Sequence, residues 1–146
     1  MLLYLPMACP YFYPLARLEN HGWVIPPRVP LGDAYAGECR ADAAVFQPDE
    51  THARQICNAG YGRGACDRFP KDASIDAVRF HIAQDSGELI RIQYVFEKDC
   101  WPVKDGVVEF AAASREIQGT DDAVLRGQAG AFVESYLRLR NCAAAS

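Results

Sequence analysis

Apolar and polar residues alternate along two stretches in the second half of the chain. The apolar positions are Val78, Phe80 and Ile82 in the first stretch, and Ile90, Ile92, Tyr94 and Phe96 in the second. A period of two is typical of strands with one apolar face, and Asp85-Ser86-Gly87 between the stretches favours a turn. The pattern therefore predicts an antiparallel hairpin. Asp105-Gly106 predicts a further turn leading into a third strand over Val107–Phe110, with Trp101-Pro102 interrupting the run before it.

The apolar period changes to three and four residues after Thr120. The recurring positions are Leu125, Ala129, Phe132, Val133 and Tyr136. This spacing predicts an amphipathic helix, with Thr120 as its N-cap and with Arg138 and Arg140 near its C-terminal end. Because an isolated hairpin is marginal in water, we expect this helix to cover the sheet.

The first half of the chain has a different composition, since eight of the nine prolines lie within residues 1–70. Residues 1–46 are accordingly predicted to be mostly loop and extended chain. One helix is predicted from Pro48 to about Asn58, with Gly60 just beyond its end. The expected fold class is α+β in a single domain over 1–146. Residues 1–74 form its irregular, cysteine-rich, cluster-binding half, and residues 75–141 form the sheet of two or three strands and the helix.

Four cysteines lie in this first half, each among proline, glycine and aromatic residues: Cys9, Cys39, Cys57 and Cys66. Few regular elements are predicted there to build an apolar core, so metal ligation is the favoured interpretation. The cysteines are separated by 29, 17 and 8 residues, and none of these spacings is the short knuckle typical of structural zinc. Dispersed thiolates suit a [4Fe–4S] cluster, whose attachment points are further apart than those of one ion. Zinc, disulfides and plain thiols remain open alternatives.

Neighbouring residues are consistent with a cluster. Gly60, Gly62 and Gly64 allow backbone N–H groups to approach cluster sulfurs, and nearby arginines can offset the charge of four thiolates. The arginines are Arg40, Arg63 and Arg68, and the aromatic residues that could exclude solvent are Tyr11, Phe12, Tyr61 and Phe69.

The remaining cysteines and the histidines are expected to have other roles. Cys100 and Cys142 lack a glycine-loop context and are predicted to be structural. His21, His52 and His81 are scattered and are expected to be solvated, although His21 could replace a cysteine as a ligand. The spacing of Ser, His, Asp and Cys residues supports no nucleophilic set, so an enzymatic role is not favoured.

The chain resembles uncharacterised small bacterial proteins that share three distinctive segments. These are a Cys-Pro-Tyr-Phe start, a Leu-Gly-Asp-x-Tyr-x-Gly-x-Cys segment and a Cys-Asn-x-Gly-Tyr-x-Arg-Gly-x-Cys-x-Arg-Phe-Pro segment. Here they occupy Cys9–Phe12, Leu31–Cys39 and Cys57–Pro70. The resemblance supports the ligand set of four cysteines and implies no established activity.

Charge and hydropathy limit the possible partners. The net charge of −4 and the absence of a basic face argue against nucleic acid. No apolar run in the sequence is long enough to cross a bilayer, and the apolar start Met1–Cys9 is too short for a secretory signal. The sequence therefore predicts a cytoplasmic protein with reduced thiols and no membrane partner. The leading hypothesis is an iron–sulfur protein with a structural or electron-transfer role and an unidentified redox or protein partner. The alternative is a zinc-stabilised interaction module without redox activity.

Overall fold

The computed structural model describes residues 8–18, 31, 34–42, 44–58, 62 and 66–145, with the backbone alone for residues 141–145. Within these ranges the chain forms a two-stranded sheet, a four-stranded antiparallel sheet and a long C-terminal helix. The strands are β1 (Phe12–Arg17), β2 (Tyr35–Cys39), β3 (Ala77–Asp85), β4 (Leu89–Lys98), β5 (Trp101–Ala111) and β6 (Glu116–Gln118). The helices are α1 (Glu50–His52), which continues into a π-helical turn over Ala53–Cys57, and α2 (Ala123–Ala145).

The larger sheet has the strand order β3-β4-β5-β6, so strands that are adjacent in the sheet are also consecutive in the sequence. Its register places Ile82 opposite Ile92, and Ile92 opposite Val108, which aligns the apolar positions on one face. Ile92 and Val108 are fully buried. The predicted hairpin is therefore confirmed, but the sheet has four strands instead of two or three, because the short β6 pairs with the end of β5.

The turn between β4 and β5 was predicted in the wrong place. Asp105 and Gly106 lie inside β5, opposite Val95 and Tyr94, and the chain reverses instead at Asp99 and Cys100, which have φ values of 52° and 66°. A Cβ atom at position 106 would lie 2.3 Å from Tyr94 Oη, so this glycine makes room for a side chain across the sheet. Trp101-Pro102, which were expected to interrupt the strands, begin β5.

Helix α2 is confirmed, with a different cap. Asp122 Oδ1 accepts hydrogen bonds from the N–H groups of Val124 and Leu125, at 3.0 and 3.1 Å. Thr120 Oγ1 instead accepts from the N–H of Asp122 at 3.1 Å, so Thr120 supports the cap residue. The helix continues to Ala145, beyond the predicted limit at residue 141.

The first half contains more regular structure than was predicted. Strands β1 and β2 pair antiparallel over a stretch that was expected to be mostly loop and extended chain. The helix predicted from Pro48 is present as α1 and the π turn, and Asp49 Oδ1 caps it by accepting from the N–H of His52 at 2.8 Å. Gly60 lies outside the described residues.

The two halves share an apolar core. Phe12 of β1, Val78 of β3 and Leu125 of α2 belong to one buried cluster. Gln128 of α2 is 1% exposed, and its Nε2 donates to the carbonyl oxygens of Cys9 and Phe12 at 2.8 and 2.7 Å. Helix α2 therefore packs on the large sheet and also holds the segment that contains Cys9. In the part of the chain that the structure describes, no helix is both long and apolar enough to span a membrane.

Candidate metal centre

Four thiols line one small cavity in the first half of the chain. They belong to Cys9, Cys39, Cys57 and Cys66, the four cysteines that the sequence singled out. Cys9 and Cys57 are buried, Cys39 and Cys66 are half-buried, and all four are free thiols. Cys100 is exposed in the turn between β4 and β5 and lies away from this cavity. The side chain of Cys142 lies outside the described residues.

Backbone pairing brings Cys9 and Cys39 together. Phe12 lies opposite Cys39 in the β1–β2 register, and the N–H of Phe12 donates to the carbonyl of Cys9 at 3.1 Å, which closes a turn. Ala8 forms a two-way bridge with Val78 of β3, so Cys9 is held between two sheets. The local positions of both cysteines thus follow from strand pairing.

The π turn places Cys57 against the same segment. The N–H of Cys9 donates to the carbonyl of Cys57 at 3.0 Å. Asn58, which is fully buried, pairs with the backbone of Tyr35 in β2, because its Oδ1 accepts from the Tyr35 N–H and its Nδ2 donates to the Tyr35 carbonyl. A short π-helical segment of this kind is rare and is frequently found at functional sites.

Two backbone hydrogen bonds hold Cys66 at the cavity. Its N–H donates to the carbonyl of Gly62 at 2.6 Å, and its own carbonyl accepts from the N–H of Phe69 at 3.1 Å. A Cβ atom at position 62 would lie 3.2 Å from Phe69 Cδ2 and 3.5 Å from Cys66 Cβ, so the backbone passes close to the thiol. Gly60 and Gly64 lie outside the described residues.

Aromatic side chains form the walls of the cavity. Tyr11 and Phe69 meet edge to face with ring centroids 5.5 Å apart, and Phe12 is buried beside them. Arg68 also lines the cavity and lies 4.2 Å from the centre of the Phe46 ring. Arg40 instead stacks on Tyr13 at 3.8 Å, whereas Arg63 and Tyr61 lie outside the described residues. Of the two described arginines among the three predicted, Arg68 lines the cavity, and its guanidinium also lies 3.7 Å from the carboxylate of Asp42.

Burial makes the two inner thiols difficult to ionise. The pKa of Cys9 is raised to about 12, chiefly by desolvation and also by the charges of Cys39 and Cys66, while hydrogen bonds from the Tyr11 and Phe12 N–H groups oppose the rise. Desolvation likewise raises the pKa of Cys57 to about 12, with repulsion from Cys9, Cys39 and Cys66 acting in the same direction. The four thiols are thus close enough to oppose one another's ionisation, and a bound cation would reverse that effect.

His52 was not predicted as part of the site. The residue lines the cavity together with Ile56 and Cys57. The sequence pattern suggested a solvated histidine because it gives no sign of the π turn, whose i to i+5 hydrogen bonding changes which residues share a face of the helix. His21 lies outside the described residues, and His81 is on the exposed side of β3.

The donor set suits a thiophilic metal group. Four cysteines and one histidine line the cavity, and none of its described lining residues is Asp or Glu. Sulfur ligands select zinc, copper(I) and iron–sulfur clusters over hard cations. The cavity volume is about 20 Å³. Within the described ranges, no three or more His, Cys, Asp or Glu side chains are arranged as the ligands of one metal ion.

Comparison of the chain with protein-family models, with curated proteins and with solved structures finds no match.

Proposed function

We propose that the protein is an iron–sulfur protein whose [4Fe–4S] cluster is held by Cys9, Cys39, Cys57 and Cys66. The observation that carries this proposal is that four thiols from four separate segments line one cavity. Thiolates are the usual ligands of such clusters, and ligands from dispersed segments suit the size of a cubane.

The surroundings of the thiols support the same proposal. Tyr11 and Phe69 shield the cavity, and an apolar shell limits solvent access to a cluster and tunes its potential. Arg68 supplies positive charge beside a ligand set that becomes negative when its thiols ionise. A site for catalysis on iron would leave one position open, and four thiols at the cavity favour a fully ligated cluster instead.

We assign the cluster a mainly structural role. It would join the turn before β1, the end of β2, the π turn and the segment of Cys66, which lie far apart in sequence. Metal-binding free energy is then folding free energy for this half of the chain. Electron transfer is the second role of the same cluster, and it requires a reversible couple with unchanged secondary structure.

Zinc is the second candidate because of two specific observations. His52 lines the same cavity as the four cysteines, and mixed Cys and His sets are common in structural zinc sites. The cavity volume of about 20 Å³ has room for about one water molecule. A single ion would need less rearrangement of the side chains than a cubane.

Serine substitutions test the ligand assignment. Protein purified anaerobically should lose most of its iron in Cys57→Ser and in Cys66→Ser, because a serine oxygen is a poor ligand for cluster iron. Cys100→Ser is the matched control, since Cys100 is exposed and distant from the cavity, and it should retain the wild-type iron content. Iron loss in Cys100→Ser equal to that in Cys57→Ser would overturn the assignment.

A further inference from the structure

A polar side chain, Gln128, lies on the buried face of α2. It is 1% exposed, and Leu125, which precedes it by three residues, and Ala129, which follows it, are buried apolar residues. Burying an amide among apolar groups costs free energy unless hydrogen bonds compensate for the lost contact with water. The hydrogen bonds of Gln128 therefore account for its place in the core.

The amide of Gln128 holds both ends of the turn Cys9–Phe12. Its Nε2 donates to the carbonyl oxygen of Cys9 at 2.8 Å and to that of Phe12 at 2.7 Å. The Phe12 N–H also donates to the Cys9 carbonyl, at 3.1 Å, which closes the turn, and Pro10 has no N–H to contribute. A helix residue 119 positions away in the sequence thus supplies two of the hydrogen bonds that fix the turn.

The same turn directs backbone donors at the Cys9 thiol. The N–H groups of Tyr11 and Phe12 form hydrogen bonds with that thiol. On its other side, the Cys9 N–H donates to the carbonyl of Cys57 at 3.0 Å. The backbone of Cys9 is therefore fixed between the segment of a second thiol and helix α2.

The orientation of the Gln128 amide follows from its contacts. Reversing it would place Oε1 against the carbonyl oxygens of Cys9 and Phe12, and all three oxygens are acceptors. Oε1 is buried and has no hydrogen-bond partner among the residues that the structure describes. The donating side of the amide is thus the side that matters to the rest of the molecule.

The neighbouring residue permits the close approach of α2 to β1. A Cβ atom at position 127 would lie 2.5 Å from Tyr13 Cε2, so a glycine is needed for the helix backbone to lie against this ring. Gly127 and Gln128 together form a junction between α2 and the start of β1.

We propose that Gln128 is a positioning residue for the candidate metal centre. Its amide fixes the turn Cys9–Phe12 so that the Cys9 thiol and the two N–H groups that donate to it face the bound metal group. The inference rests on the proposed function in that a metal group is held by the four thiols. Hydrogen bonds to ligating sulfurs and the partners that orient a ligand determine how tightly a metal group is held and how it behaves electronically.

Metal release from the full-length protein tests the proposal. Protein purified without oxygen is mixed with excess EDTA, and the loss of the visible absorption is timed. Gln128→Met removes both donors at nearly unchanged side-chain length and should release the metal about tenfold faster, as expected for a residue that orients a ligand. Gln128→Asn keeps an amide that is one methylene too short to reach both carbonyls, so it should change release in the same direction and keeps the test valid if Gln128→Met does not fold.

Val133→Ala is the matched control. Val133 is fully buried on the same helix, in an apolar cluster that contains none of the four thiols, so the substitution destabilises the fold without contacting the turn. It should change the release rate by less than about twofold, because distant sites act independently. Urea unfolding measures the stability that each variant loses, so that release which simply follows stability is recognised. The visible spectrum of the bound cluster should shift in the Gln128 variants and stay unchanged in Val133→Ala.

Three results would overturn the positioning role. Both Gln128 variants release metal at the wild-type rate, Val133→Ala accelerates release as much as Gln128→Met, or the spectra of both Gln128 variants match that of wild type. Zinc without sulfide in the wild type would contradict the iron–sulfur proposal alone, and the rate of zinc release to EDTA would then decide the role of Gln128. A wild-type protein that holds no metal at the thiols would overturn both proposals.

Discussion

The side chain of Asn58 pairs with the backbone of Tyr35 in the way that one strand pairs with another. Asn58 Oδ1 accepts from the Tyr35 N–H at 3.0 Å, and Asn58 Nδ2 donates to the Tyr35 carbonyl at 2.9 Å. Asn58 directly follows Cys57, and Tyr35 begins the strand that ends at Cys39. One buried amide thus fixes the distance between the elements that carry two of the four thiols.

Asn58→Leu should destabilise the metal-free protein by about 3 kcal/mol, because it removes both hydrogen bonds between the Asn58 amide and the buried backbone of Tyr35. Urea unfolding under reducing conditions measures the change in the free energy of unfolding. Gln93→Leu is the control, since Gln93 donates to Asp105 on the solvated face of the sheet, and it should change stability by less than about 0.5 kcal/mol. Equal effects of the two substitutions would show that the Asn58 pairing has no special role.

A pair of glycine substitutions should change stability in opposite directions. A Cβ atom at position 37 would lie 2.0 Å from the Tyr13 carbonyl oxygen, so Gly37→Ala must separate β1 from β2. We expect it to lower the thermal midpoint and to reduce metal uptake by displacing Cys39. At position 130 the nearest heavy atom would be Ile117 Cγ1 at 4.0 Å. Gly130→Ala should therefore raise stability by up to about 1 kcal/mol, the gain typical of a helix interior.

Calorimetry of both glycine variants verifies these signs. Destabilisation by Gly130→Ala would show that α2 is packed more tightly than described. Wild-type stability of Gly37→Ala would show that the β1–β2 pairing is not formed.

The metal-free protein should lose stability as the pH rises above about 9. The folded-state pKa of Cys9 and of Cys57 is raised to about 12 from an ordinary value of 9.0, chiefly by burial. A raised pKa means that the folded state holds its proton more tightly than the unfolded state does. The stability that this provides is complete below pH 9 and is lost as the pH rises toward 12.

Urea unfolding between pH 8 and pH 10.5 measures this loss, and Cys9→Ala isolates the contribution of one thiol. The variant should show a shallower decline than wild type, since it has one buried thiol fewer. Identical slopes would contradict the assignment of the decline to Cys9. The same argument predicts that metal binding releases protons and becomes stronger as the pH rises.

Local patterns predicted those parts of the fold that depend on neighbouring residues. Alternation at Val78–Ile82 predicted β3, and apolar spacing at Leu125, Ala129 and Val133 predicted α2. The prediction of a turn at Asp105-Gly106 was wrong. The glycine is needed there because the side chain of Tyr94 on the neighbouring strand leaves no room for a Cβ atom, and no local sequence pattern reveals that contact. The β1–β2 pairing was missed for a similar reason, since it is stabilised by long-range contacts such as those from Gln128.

The residues of the candidate site were likewise predictable only where the local sequence indicates them. The four cysteines could be predicted because proline, glycine and aromatic residues surround each of them in the sequence. His52 could not be predicted, because its place at the cavity depends on the π turn. Juxtapositions that arise only from packing leave little trace in residue spacing.

The most direct test of the proposed function is the content of iron and acid-labile sulfide in protein purified without oxygen. A [4Fe–4S] cluster predicts four irons and four sulfides per chain with no more than trace zinc, together with the broad visible absorption of an iron–sulfur chromophore. One zinc per chain without sulfide would contradict the iron–sulfur proposal and would favour the zinc-stabilised module.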